Sequence, residues 1–150
     1  MPIVTAEVNI NAPPEGVYQL AKGVERFPDF MPDVESVEVL SRKGSTTLTR
    51  WVGKVKEFNR TIRWTEQDRW FDEEMRCEFE QTEGDFSLYR GIWEFHPDQD
   101  RTFVSLHLEY DYHVPLIGSL LKRLMFNKMK RNCQNMLDGL KAEAEKVQGS

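Results

Sequence analysis

The stretch from Pro115 to Val147 limits the fold more than any other part of the chain. Its apolar residues fall at Ile117, Leu120, Leu121, Leu124, Met125, Met129, Cys133, Met136, Leu137, Leu140, Ala144 and Val147. Gaps of three and four, with a few adjacent pairs, are the period of one face of a long amphipathic helix. No proline follows Pro115, whose ring suits a first helical turn. Such a helix would run roughly 45–50 Å. A stripe that long needs a broad apolar partner, and the residues before it read as strands. The expectation is an α+β domain: a sheet closed over one long C-terminal helix.

Taken in order, Ile3 to Asn11 alternates, with Val4, Ala6, Val8 and Ile10 on one face. That is a half-buried strand. Pro14 can open a short helix with Val17, Tyr18, Leu20 and Ala21 on its apolar face, and Gly23 is placed to stop it. Pro28 and Pro32 restrict the next segment to a single helical turn. Strands are expected over Val34–Ser41, Thr46–Val55, Thr61–Trp70, Met75–Gln81, Leu88–Phe95 and Thr102–Tyr112. Turns are expected at Arg42–Ser45, Thr82–Asp85 and Pro97–Asp100. Short connections make the central strands antiparallel neighbours. The whole chain reads as one domain, 1–150, without repeat or linker.

Two runs of residues resemble a known family. Asn11-Ala12-Pro13-Pro14-Glu15-Gly16-Val17-Tyr18, followed by Val24-Glu25-Arg26-Phe27-Pro28-Asp29-Phe30-Met31-Pro32, resembles the opening of the START-like superfamily. The closest branches are the polyketide cyclase/dehydrase and coenzyme-Q-binding ones. Glu83-Gly84-Asp85-Phe86, followed by Gly91-Ile92-Trp93-Glu94-Phe95, is similar to the later strands of that family. The resemblance extends from about Ile3 to Val147. It implies a helix-grip fold: a curved antiparallel sheet around the C-terminal helix, with two short helices after the first strand. It also implies a cavity between sheet and helix for a lipid-like, quinone-like or polyketide-like molecule, with no cofactor.

On that reading the ligand-binding set is Trp64, Phe79, Tyr89, Trp93 and Tyr110 from the strands. Phe27 and Phe30 stand at the mouth, Met31 points inward from the same turn, and Leu121, Met125, Met129 and Met136 come from the helix stripe. Ordinary core packing accounts for the same aromatics, since they bury large areas. A ligand site adds a few polar groups to an apolar lining, and methionines adapt to irregular ligands. Glu66 shares a strand face with Ile62 and Trp64. If that face is interior, the carboxyl is buried and must be paired or protonated, which suits a general acid or base. A local twist that lets it reach water is the other reading. Glu66 and Tyr110 are therefore the catalytic candidates.

Family aromatase/cyclases carry arginines and a tyrosine in the cavity. By rough correspondence the tyrosine place is Val34 here. The arginine places fall near Asp68 or Arg69 and near Glu80, so at most one matches. This sets ligand binding or transport ahead of aromatase/cyclase or dehydratase chemistry. An interaction protein with a filled core is the third reading.

Charge and motifs bound the rest. Before Pro115 there are 13 Lys/Arg against 22 Asp/Glu, and from it onward 7 against 3. Lys122, Arg123, Lys128, Lys130 and Arg131 form a run without an acid. It reads as a solvated face, or with its apolar neighbours as a docking surface for an anionic membrane or acidic partner. The net charge of −5 argues against non-specific nucleic-acid binding. His96, His107 and His113 have no metal-ligand spacing. Cys77 and Cys133 form no CxxC pair, and no apolar run reaches the length of a membrane span or forms a signal peptide. A cytoplasmic protein, peripheral to a membrane where the basic run docks, is expected.

Overall fold

Val4, Ala6 and Ile10 point inward from β1 (Ile3–Ile10), while Thr5, Glu7 and Asn9 face water. The computed structural model describes residues 2–55, 60–112 and 119–148. Pro14 sits in the first turn of α1 (Pro14–Lys22), which buries Val17, Tyr18 and Ala21. A 3₁₀ turn (Val24–Arg26) leads into α2 (Phe27–Phe30), a single turn with Pro28 in its first positions and Pro32 beyond its end. The strands β2 (Val34–Lys43), β3 (Thr46–Val55), β4 (Arg60–Phe71), β5 (Arg76–Gly84), β6 (Leu88–Asp98) and β7 (Arg101–Asp111) follow. The chain then closes with α3 (Ser119–Gln148).

The sheet has seven strands in the order β1-β7-β6-β5-β4-β3-β2, each antiparallel to its neighbours. It curves around α3, which buries Met125, Met129, Cys133, Leu137, Leu140 and Ala144. Helix side chains seal the outer edge of β1. Gln134 Nε2 donates to the Glu7 carbonyl at 3.2 Å and Lys141 Nζ to the Asn9 carbonyl at 2.7 Å. Glu145 accepts from the Asn11 backbone N–H at 2.8 Å. The opposite edge, β2, carries two register shifts and a run of charges, which disfavour pairing with another chain.

Three strands outrun the alternation that marks them. β2, β5 and β6 continue to Lys43, Gly84 and Asp98 because their ladder partners continue: Lys43 pairs with Thr46, Gly84 with Trp64, and Asp98 with Arg101. Much of what reads as turn is therefore strand.

The apolar stripe of α3 is not buried throughout. Leu120, Leu121 and Leu124 are 67%, 41% and 40% exposed, because the helix meets the core only from Met125 onward. The expected helix start at Pro115, with Ile117 and His113, lies outside the described residues, as does the Val147 side chain. Phe27 also departs from its expected place at a mouth. It is a core residue, with its ring centroid 5.8 Å from Trp51 and 6.5 Å from Trp93.

Close approach fixes α2 on α3. A Cβ at Gly139 would collide with the Phe30 carbonyl oxygen, so only glycine lets the turn lie directly on the helix. No helix among the described residues is long and apolar enough to cross a membrane.

Candidate functional site

Strand β4 supplies the centre of the interior. Its period of two aims Ile62, Trp64, Glu66, Asp68 and Trp70 toward the interior. Both acids are buried, Glu66 5% and Asp68 3% exposed. The interior reading of Glu66 therefore holds. Asp68, two residues on, accompanies it by the same alternation.

Hydrogen bonds hold the two carboxyls in place. Trp64 Nε1 donates to Glu66 Oε1 at 2.8 Å. Thr49 Oγ1 donates to Asp68 Oδ2 at 2.6 Å, and Trp51 Nε1 donates to Thr49 Oγ1 at 2.8 Å. Thr47 adds a long contact of 3.5 Å to the same Asp68 oxygen. The two carboxyls also stand close enough for the charge on Asp68 to act on Glu66.

Burial pushes the Glu66 carboxyl well above the carboxylate range, and the charge on Asp68 pushes it further. Burial also raises Asp68, against the lowering effect of hydrogen bonds from Glu66, Thr49 and Thr47. Asp68 has the hydroxyl donors that stabilise a carboxylate, so the pair holds its proton on Glu66 and its charge on Asp68.

Around this pair run three small voids. The first, about 50 Å³, opens between Asp33, Lys54 and Asn132 and is walled by Trp51, Trp64, Tyr89, Met129, Cys133 and Met136. The second, about 20 Å³, shares Trp51, Tyr89 and Met136 with the first and adds Glu66, Phe79 and Trp93. The third, about 10 Å³, shares Trp51, Glu66 and Trp93 with the second and ends against Asp68, Trp70, Cys77 and Phe27. Glu66 thus stands where the second void meets the third. Each void is on the scale of one to a few water molecules. A larger depression, about 470 Å³, lies on the outer sheet face. Within it Arg90 pairs with Glu109 at 2.7 Å and Arg69 with Glu78 at 3.4 Å.

Of the residues expected to bind ligand, the voids gather Phe27, Trp64, Phe79, Tyr89, Trp93, Met129 and Met136, together with Glu66. Phe30, Met31, Tyr110, Leu121 and Met125 line none of the three. Tyr110 packs beside Phe86, with ring centroids 6.3 Å apart. Leu121 faces outward. Tyr89, not Tyr110, shares a void with Glu66, and burial raises its phenol.

Sequence reasoning missed Trp51, Asp68, Trp70 and Cys133 as lining residues. The signal for Asp68 and Trp70 was present, since they continue the Ile62, Trp64, Glu66 face. A backbone feature fixes Trp64 itself. Gly84 has φ +152°, and a Cβ there would stand 2.5 Å from the Trp64 Cα, beside the register shift between Thr65 and Glu66.

The sheet wrapped on one long helix, with two short helices after the first strand, is the helix-grip fold. The chain belongs to the polyketide cyclase / dehydrase and lipid transport family, whose model matches residues 10–137, within the START-like superfamily. The TTHA0849 protein of Thermus thermophilus is 40% identical, with a TM-score of 0.92 over 97% of this chain and 99% of that one. The Zhui aromatase/cyclase of a Streptomyces species is 20% identical, with a TM-score of 0.88 over 96% of this chain and 93% of that one. A STAR-related lipid transfer protein fragment from Xanthomonas axonopodis is 14% identical, with a TM-score of 0.76 over 93% of this chain and 83% of that one. Among curated proteins none matches.

Proposed function

We propose that the chain is a cytoplasmic binding and transport protein for a hydrophobic small molecule, lipid-, quinone- or polyketide-like, held between the sheet and α3. The observation that supports this reading is the row of aromatic-walled voids that leads from Asp33, Lys54 and Asn132 to a buried polar pair. An apolar lining with a few convergent polar groups is the usual make-up of a ligand site.

The voids are small beside the roughly 300 Å³ or more of an ordinary ligand pocket. Filling them therefore requires α3 to move away from β3 and β4. Met129 and Met136, on the helix side, can repack around different shapes. Each methylene taken from water contributes about 0.8 kcal/mol, so a long apolar body supplies the driving force for the opening. The first experiment is native mass spectrometry of protein purified from its own host, followed by organic extraction. A defined bound lipid, quinone or polyketide supports the carrier. Bare protein that also refuses apolar probes removes it and favours the filled-core interaction protein.

The exposed Leu120, Leu121 and Leu124 stand beside Lys122, Arg123, Lys130 and Arg131 on the first turns of α3. Apolar side chains within a basic run suit docking to an anionic membrane, where a carrier would load and unload. Reversing the charge of Lys122, Arg123, Lys130 and Arg131 should abolish sedimentation with phosphatidylglycerol vesicles and leave phosphatidylcholine controls unchanged. Equal binding before and after reversal removes the docking role.

The buried carboxyl pair favours a second reading, an aromatase/cyclase or dehydratase with Glu66 as general acid. Tyr89, in the same void, is a better placed partner than Tyr110. On this reading Glu66→Gln abolishes turnover and leaves ligand affinity nearly intact.

A further inference from the structure

The interior carries charge of one sign. Glu66 and Asp68 are its deep ionisable acids, and Trp64, Thr49 and Thr47 are the groups that donate to them. No Lys, Arg or His among the described residues lines the second or third void. Lys54 reaches the first void only at its mouth, where it pairs with Glu35 at 2.9 Å.

A further polar group points to a ligand. Tyr89 lines the same void as Glu66, and its hydroxyl makes no hydrogen bond with any described residue. No buried side-chain N or O atom among the described residues lacks a partner, so this hydroxyl is not sealed away from solvent. The second void thus has Glu66 and Tyr89 together among its lining residues. A molecule reaching it from the mouth meets Met129, Met136 and aromatic rings first, then these two residues.

We infer that this interior selects an apolar molecule whose buried end donates hydrogen bonds, a protonated amine above all and a hydroxyl next, and that it rejects one ending in a carboxylate. The inference rests on the carrier reading above and narrows it to a ligand class. An ammonium end neutralises the single negative charge of the pair and gives three donors to Glu66, Asp68 and Tyr89. A hydroxyl end gives one donor and leaves that charge in place. A carboxylate end sets a second negative charge against it in a medium that screens poorly.

Three ten-carbon probes with the same apolar body test this by isothermal titration at pH 7.5: decylamine, decanol and decanoate. Decylamine should bind at least tenfold more tightly than decanoate, with decanol between them. The double variant Glu66→Gln/Asp68→Asn keeps the shape and removes the charge, and it should bring decylamine and decanoate within about threefold. Far- and near-ultraviolet circular dichroism checks that the variant is folded. Decanol uptake without a preference for decylamine overturns the inference and leaves the carrier standing. A preference that survives in the double variant also overturns it, by assigning the effect to the acidic surface. Failure of all three probes overturns the carrier reading and this inference with it.

Discussion

Asn135 Nδ2 donates to Asp33 Oδ2 at 2.9 Å, and this bond ties α3 to the chain between α2 and β2. Asp33 also borders the first void, so the bond anchors one of the void's lining residues to α3. Asn135→Ala removes a partly buried hydrogen bond of about 1 kcal/mol, a small loss to the whole fold. It should nevertheless speed release of bound decanol several-fold in stopped-flow exchange. An unchanged release rate would move the point of access elsewhere.

The Glu66–Asp68 pair makes stability depend on pH with a definite sign. Both carboxyls are raised in the folded chain, so the fold keeps a proton that the unfolded chain gives up near pH 4. Above that pH the native state binds more protons than the unfolded one. The contribution is therefore full in acid and falls as pH rises through the folded values. The slope is at most about 1.4 kcal/mol per pH unit for each proton. Glu66→Gln keeps the Trp64 bond and removes the titration. The variant should melt above the wild type at pH 8, with the gap closing toward pH 4. A gap that opens toward acid would show that the carboxyl is ionised in the native state.

Much of the fold was legible because alternation and helical period report which face is buried. Every expected strand is present, and Glu66 lies on the face its neighbours marked. Asp68 escaped because an acid in a strand reads as solvent-facing unless the period is followed through it. The exposure of Leu120, Leu121 and Leu124 escaped for the opposite reason, since a helical stripe shows no sign of where its partner ends. The Asn135–Asp33 bond joins residues 102 positions apart, and nothing local to either announces it. Whether the space between sheet and helix is hollow depends on rotamers, and a filled or an open interior would carry the same pattern.

Gly139 marks the tightest contact between α3 and the short helices. Gly139→Ala would force the Phe30 carbonyl back from the helix. Overpacking of this kind costs about 1–3 kcal/mol, more than the helix gains from alanine. Urea unfolding should show a lower midpoint at an unchanged slope. A midpoint at or above the wild type would mean that α2 shifts freely.

Cys133 lines the first void, and burial lifts its thiol to about 12. Cys77 is buried deeper, and burial with the nearby acids raises it as well. Thiolate is the reactive form, so Ellman's reagent should leave both thiols unmodified in the native protein and label both in urea. Labelling of Cys133 that outpaces Cys77 in native buffer would report the opening of the helix alone. Equal native rates would point to global unfolding as the route.

The chain has four tryptophans, and each borders at least one of the three voids: Trp51 all three, Trp64 the first, Trp93 the second and third, Trp70 the third. Trp51 and Trp64 stack with centroids 5.8 Å apart and planes within 8°. The tryptophan emission of this protein therefore originates wholly at the walls of these voids, undiluted by any indole elsewhere. The stacked pair should add an exciton couplet to the dichroism that vanishes when the rings part. The molecule carries its own optical gauge of what happens between sheet and helix, with no dye attached.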